Sequence, residues 1–430
     1  MTSTEKQDIQ HGQFRQYLPD LNTPRFQAIA QNDAYGHARE LLEHHRPPWL
    51  YGLYVHWRKL FEEPFKGVTN DGTVRPNLFK LRDEGVPIDA IVAAANAVTS
   101  QLSAEQAAKT ILHIDSPEWR SWSNPEFLVS DKGIRLDEIT PELRTAVLAL
   151  LEAALSPEGY AKARAAMRIN HFLGELVKAP RVMNEHSYNF VQFGAAPAAP
   201  DRPWGFALYG HHLCLSVFLY RTQIVVSPWF TGAEPNLIDA GPWAGTRILH
   251  EEERLGLQLM QSLSGEERGR ARTYAEMRDE RMPRGRWNHD DQRHLCGAYR
   301  DNRVVPYEGV VVGALAPAQQ DLVRRIMSQY LLYLPARSRE LKLRDCADWF
   351  GETYFSWIGG CGDDDAFYYR IQSPVVLVEF DHHSGVFLTN AEPAKFHVHT
   401  LLRTPNGGDY GFALRSQIGG AVPQDYVWEG

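Results

Sequence analysis

Near Val182 the chain changes character, and no other feature limits its fold so strongly. Before that point apolar residues recur at helical spacing over 34–45, 88–102, 143–155 and 161–178. After it, 188–193, 204–220 and 223–229 are aromatic and β-branched. Arg221-Thr222, between the last two runs, predicts an antiparallel hairpin. Helical spacing returns over about 249–280 and 316–334, and strand texture over 366–372, 374–381 and 395–402. Helices grouped apart from hairpin-type strands predict an α+β fold, with a helical N-terminal half and an antiparallel sheet with packed helices. The expected organisation is a polar, loosely docked arm over 1–30, a mostly helical region over 31–180, and an α+β region over 181–430. The last two are expected to form one integrated unit.

Helix starts are marked locally. Ser103 to Gln106 and Ser264 to Glu267 have the capping-box pattern, each after a leucine, and Thr140-Pro141 places a cap residue before a proline in the first turn. These openings recur without a fixed period, so a solenoid is not expected.

The net charge of −8 speaks against a surface for nucleic acid or anionic membranes, which would need a basic excess. The polar N-terminus has no apolar signal core, and no run approaches the roughly 18 apolar residues needed to span a bilayer. Four cysteines without a C-x-x-C read as reduced thiols. The expectation is a cytoplasmic protein with a small-molecule substrate, no nucleic-acid or membrane partner, and an oligomeric state left open. Gly359-Gly360-Cys361-Gly362 lacks the strand-to-helix setting of a phosphate loop, and there is no G-x-S-x-G elbow.

Chemistry concentrates in three histidine patches. In Phe396-His397-Val398-His399-Thr400, a strand would put both imidazoles on one face, which is half of a metal site. His211-His212 is expected inside a strand over 208–219, on opposite faces, so that only one joins a given site unless Gly210 makes a bulge. Glu379 and Asp381 share a face at the end of an apolar strand, and His382-His383 reads as the polar turn after it. The expected centre is a divalent metal held by His397, His399 and one of His211 or His212. Glu379 would be a fourth ligand or anchor, Asp409 would orient a histidine, and Glu185 or Glu252 would act as general base. Nitrogen ligands with an open position favour zinc and hydrolysis of a small organic substrate by an activated water. Iron, manganese or copper in the same ligands would support redox or lyase chemistry instead. A third possibility is a metal-free binding protein whose pocket is lined by histidines with Trp204, Trp229 and Trp243.

Longer strings share an order with a known family. They are Pro203-Trp204-Gly205, Gly210-His211-His212-Leu213, Pro228-x-Phe230-x-Gly232-Ala233-Glu234-Pro235, Asp301-Asn302, Tyr307-x-Gly309, Tyr368-Tyr369-Arg370-Ile371, Val378-Glu379-Phe380-Asp381, His397-x-His399-Thr400, Arg403-x-Pro405-Asn406-Gly407 and Asp409-Tyr410-Gly411. Over roughly 60–415 the chain resembles a bacterial and fungal family catalogued as a domain of unknown function, number thirty-five hundred. The resemblance implies that the His and Glu clusters occur together as a site. It implies no activity.

Overall fold

A computed structural model describes residues 13–127 and 129–418. Twelve strands form one sheet: β1 (Ile111–Leu112), β2 (Ile134–Arg135), β3 (Tyr188–Phe193), β4 (Trp204–Gly210), β5 (Leu213–Tyr220), β6 (Gln223–Ala233), β7 (Arg272–Tyr274), β8 (Val310–Val311), β9 (Tyr354–Gly359), β10 (Phe367–Gln372), β11 (Leu377–His383) and β12 (Ala394–Arg403). The path through the sheet is β1-β3-β4-β5-β6-β12-β11-β10-β9-β7, with β2 beside β3 and β8 beside β9. With long helices packed on this mostly antiparallel sheet, the fold is α+β.

The path contains a repeat. In the first half, helices Ile88–Thr99 and Ala104–Thr110 lead into β1 and β2. Helices Pro141–Ala154 and Pro157–Leu176 then precede the meander β3 to β6. In the second half, helices His250–Ser262 and Gly265–Ala271 lead into β7 and β8. Helices Pro317–Tyr330 and Ala336–Asp348 then precede the meander β9 to β12. β1 runs parallel to β3 as β7 does to β9, and β2 runs antiparallel to β3 as β8 does to β9. The capping boxes at Ser103 and Ser264 are both formed and open equivalent short helices. Their recurrence in the sequence marks two copies of one topology, not a solenoid. The last strands of the halves, β6 and β12, pair antiparallel at the centre of the sheet.

Strand alternation sends side chains to two different cores. Phe206, Val217, Trp229, Phe380 and Val398 face the long helices. Tyr209, Cys214, Phe230 and Leu401 face a cover made of helix Pro48–Phe61 and loops that carry Trp119, Trp122 and Tyr299. His397 and His399 have the parity of Leu401 and so share one face, as expected, beneath this cover.

Three expectations change. The sheet starts at Ile111, inside the region read as helical, because β1 and β2 pair with β3. Within the N-terminal arm, Phe14 is fully buried, and Phe26 and Ile29 pack with Leu173 and Phe387, so residues 13–31 are seated. Residues 1–12 lie outside the described residues. Trp204 and Trp229 are buried in the helix-side core and Trp243 packs against it, so none of them lines a pocket beside the histidines. Among the described residues no helix is long and apolar enough to cross a membrane. All four cysteines are free thiols.

Candidate metal centre

His399 on β12 stands opposite Gly232 on β6 and Asp381 on β11. His397 lies two residues earlier on the same face. The third histidine comes from a turn. Gly210 pairs with Leu213, which closes β4 and β5 into a hairpin with His211-His212 at its tip, where a continuous strand was expected. His212 has φ 62°, in the left-handed region that non-glycine residues seldom occupy. That conformation carries its ring over Gly232, whose N–H donates to the His212 carbonyl at 2.8 Å. A Cβ at position 232 would lie 2.8 Å from His399 Cδ2 and 2.9 Å from His212 Cδ2. Glycine therefore leaves the space in which the two rings meet.

The nitrogens converge. His399 Nε2 is 3.1 Å from His397 Nε2 and 3.2 Å from His212 Nε2. All three rings are buried. Burial lowers the pKa of His397, and it takes His212 and His399 well below the ordinary value, helped by their histidine neighbours. The cluster is therefore neutral, with lone pairs available. A neutral imidazole nitrogen either donates or accepts, so His399 Nε2 cannot donate to one neighbour while accepting from the other. One cation between the three nitrogens satisfies every lone pair at once. Bonds of about 2.0–2.1 Å in tetrahedral geometry place ligand nitrogens about 3.3 Å apart, close to the observed spacing. His397 Nδ1 lies 3.7 Å from Glu234 Oε1. That carboxylate is itself held by the backbone N–H groups of Val386, Phe387 and Leu388. It lies behind His397 as a neighbouring charge, beyond hydrogen-bond reach of the ring.

Among the residues singled out from the sequence, then, His212, His397 and His399 come together. His211 does not join them. It stacks on His212 and its Nδ1 sits 2.8 Å from Asn170 Oδ1, while its ring lines the adjoining cavity. Glu379 is occupied elsewhere, accepting from the N–H groups of Leu295 and Cys296 and from the Tyr368 hydroxyl. Asp409 lies at the other end of β12, bound to Ser227, Arg403 and the Thr404 N–H, and orients no histidine. Neither Glu185 nor Glu252 joins the cluster: the nearly buried Lys162 holds Glu252, and the partly exposed Arg164 and Arg168 hold Glu185.

Two further histidines border the cluster: His383, expected in a turn, and His294, which no sequence pattern singled out. β11 runs on to His383, where a turn was expected, and a register shift after His382 brings the His383 ring to 3.8 Å from that of His399. Parity held the clue, since His383 continues the Glu379, Asp381 series. His294 lies 5.9 Å from His383, ring to ring, and comes from an irregular loop with no periodic signal. His383 Nε2 is 3.1 Å from Asp381 Oδ2 but outside hydrogen-bond geometry, and Arg293 holds that carboxylate at 2.6 Å.

The cluster opens on one side. His211, His212 and His399 line a cavity of about 640 Å³ whose other walls are Ile29, Leu50, Leu53, Trp57, Glu126, Asp290 and Asp291. Helix Pro48–Phe61 and the loop bearing Asp290 close it from above. The arrangement is thus a buried cluster of nitrogen donors at the edge of a roomy, mixed-polarity chamber.

Comparison with known proteins adds a family and no activity. No curated protein and no solved structure matches the chain. A family model described as Protein of unknown function (DUF3500) matches residues 84–412. That span takes in both topological halves, the His211-His212 hairpin and the β12 histidines, and the chain belongs to this family.

Proposed function

We propose that the protein is a metal-dependent hydrolase of a small organic substrate, with one divalent ion, zinc in the first place, held by His212, His397 and His399. The observation that carries this is the pair of Nε2 to Nε2 distances, 3.1 and 3.2 Å, among neutral, buried imidazoles that cannot satisfy one another. A bound zinc lowers the pKa of a coordinated water and so supplies a nucleophile at neutral pH. The protein's own part is to fix three donors and to set two of them, His212 and His399, in the wall of the cavity. The apolar wall of Ile29, Leu50 and Leu53 suits a substrate with a hydrocarbon body.

Metal analysis of protein purified without a histidine tag tests the reading. About one ion per chain is expected, falling to near zero when both His397 and His399 are replaced by alanine. Protein that holds no metal, and whose melting temperature is unmoved by zinc, iron, manganese or copper, overturns it.

A further inference from the structure

We propose that the buried acidic wall of the cavity, Asp290 with Asp291, holds the protonated amine of an organic ligand. The assignment rests on reading the cavity as a substrate chamber. It extends that reading by naming what the substrate carries.

The two carboxylates are short of partners. Asp290 Oδ1 and Asp291 Oδ2 are buried and find no hydrogen bond among the described residues, and Asp291 is only 6% exposed. Arg300 Nε stands 3.8 Å from Asp291 Oδ2, beyond hydrogen-bond reach, and Arg300 Nη1 is 3.0 Å from His56. Arg303 directs its guanidinium to the carbonyls of Leu295 and Gly285. His289 Nδ1 lies 3.9 Å from Asp290 Oδ1 on a largely exposed ring at the mouth. Arg300 and, from farther off, Arg303 act on Asp291, whereas Asp290 has no arginine or lysine within ion-pair distance among the described residues, so the wall has room for one further cation. A single place of that kind suits a monocation such as an ammonium and underfills the demand of a divalent metal.

Other walls agree. Trp57 is fully buried and lines the same cavity, yet its Nε1 finds no acceptor among the described residues. Glu126 is already taken by His37 at 2.8 Å. The cations that line the cavity, Arg25 and Arg46, are exposed, and Arg25 lies over the rings of Phe26 and Phe387. Inside, the chamber is acidic and apolar, the surroundings in which a charge-assisted ammonium–carboxylate bond is strongest.

Titration calorimetry with benzylamine, benzyl alcohol and benzoate at pH 8 tests the assignment on the unaltered protein, both metal-free and zinc-loaded. Benzylamine is expected to bind at least about tenfold more tightly than the alcohol or the acid. The double variant Asp290→Asn with Asp291→Asn should lose that preference and keep the metal stoichiometry of the parent. Equal binding of the three compounds overturns the proposal. So does a preference that survives the double variant, or displacement of benzylamine by calcium. Amine selectivity in protein that takes up no metal at all would sink the hydrolase reading and leave this one standing. Metal uptake without amine selectivity would do the reverse.

Discussion

The two ends of β12 bury polar groups in opposite ways. At its C-terminal end Arg403 is fully buried and fully engaged. It donates to the carbonyls of Cys296 and Gly297 and to Asp301 and Asp409. Asp301 also takes Arg120 and the Tyr410 hydroxyl, and Asp409 takes Ser227 and the Thr404 N–H. Toward the other end of the same strand, at His397 and His399, the side chains are just as buried and unresolved. Nδ1 of His212 and of His397, and both ring nitrogens of His383, find no hydrogen bond among the described residues. Burial alone does not separate a structural polar cluster from a functional one. Closure does: the Arg403 network accounts for its donors within the chain, and the histidine cluster needs something from outside it.

The largest effect that could break this contrast is at the closed end. Arg403→Met leaves Asp301 and Asp409 buried with their main cation gone, and the expected loss is about 3–5 kcal/mol of stability in urea unfolding. At the open end, His399→Leu removes a buried polar ring that has no firm partner. The metal-free variant should lie within about 1 kcal/mol of the parent while metal binding disappears. If His399→Leu destabilised metal-free protein as much as Arg403→Met does, the histidines would be a structural cluster of the same kind.

Reading the sequence reached the strand end of this contrast and missed its loop end. His397 and His399 were legible because period-two alternation is a property of two residues and needs no partner. The α+β class was legible for the same local reason, from helical spacing on one side of Val182 and alternation on the other. The third ligand was legible only as a pair, His211 or His212, and not as the one of the two that joins the site. His211-His212 sits in an apolar run that reads as one strand, and only pairing of Gly210 with Leu213 reveals a turn at the tip. The carboxylates were misplaced because Glu185, Glu252, Glu379 and Asp409 look available in a string of letters. The partners of Glu252 and Glu379, Lys162 and Leu295, are far away in sequence, and those of Asp409, Arg403 and Thr404, are near but close on it only through a turn. Asp290 and Asp291, which do face the cavity, sit in an irregular loop where no periodicity distinguishes a wall from a turn.

A smaller perturbation sharpens the open end without removing a ligand. Gly232→Ala puts a methyl group against Cδ2 of both His212 and His399, at the distances where real Cβ atoms do not sit, so the rings must part. The backbone there needs no left-handed glycine, and the sheet pairing of β6 with β12 should persist. Metal affinity should fall on the order of 10–100-fold, read by competition with a chromogenic chelator, with the unfolding midpoint of metal-free protein nearly unchanged. Undiminished affinity would mean that the two rings do not share an ion.

The smallest effect concerns the acidic wall, which is open in the same sense as the histidines. Burial first, and then the neighbouring Asp291, push the Asp290 carboxyl up to about 7. Arg300 pulls the other way, and His289 faces it from the mouth. In the unfolded chain the same group titrates near 4, so between about pH 4 and 7 the folded protein holds a proton that the unfolded chain has lost. The contribution of Asp290 to stability therefore falls as pH rises through that window and is flat above it. Asp290→Asn should remove this part of the slope, so the variant gains melting temperature on the parent between pH 5 and pH 8, in metal-free protein. A bound amine should do the same without mutation, by giving the ionised carboxylate the partner it lacks. A parent and variant with parallel pH profiles would show that Asp290 is already satisfied, and would move it from the open class to the closed one.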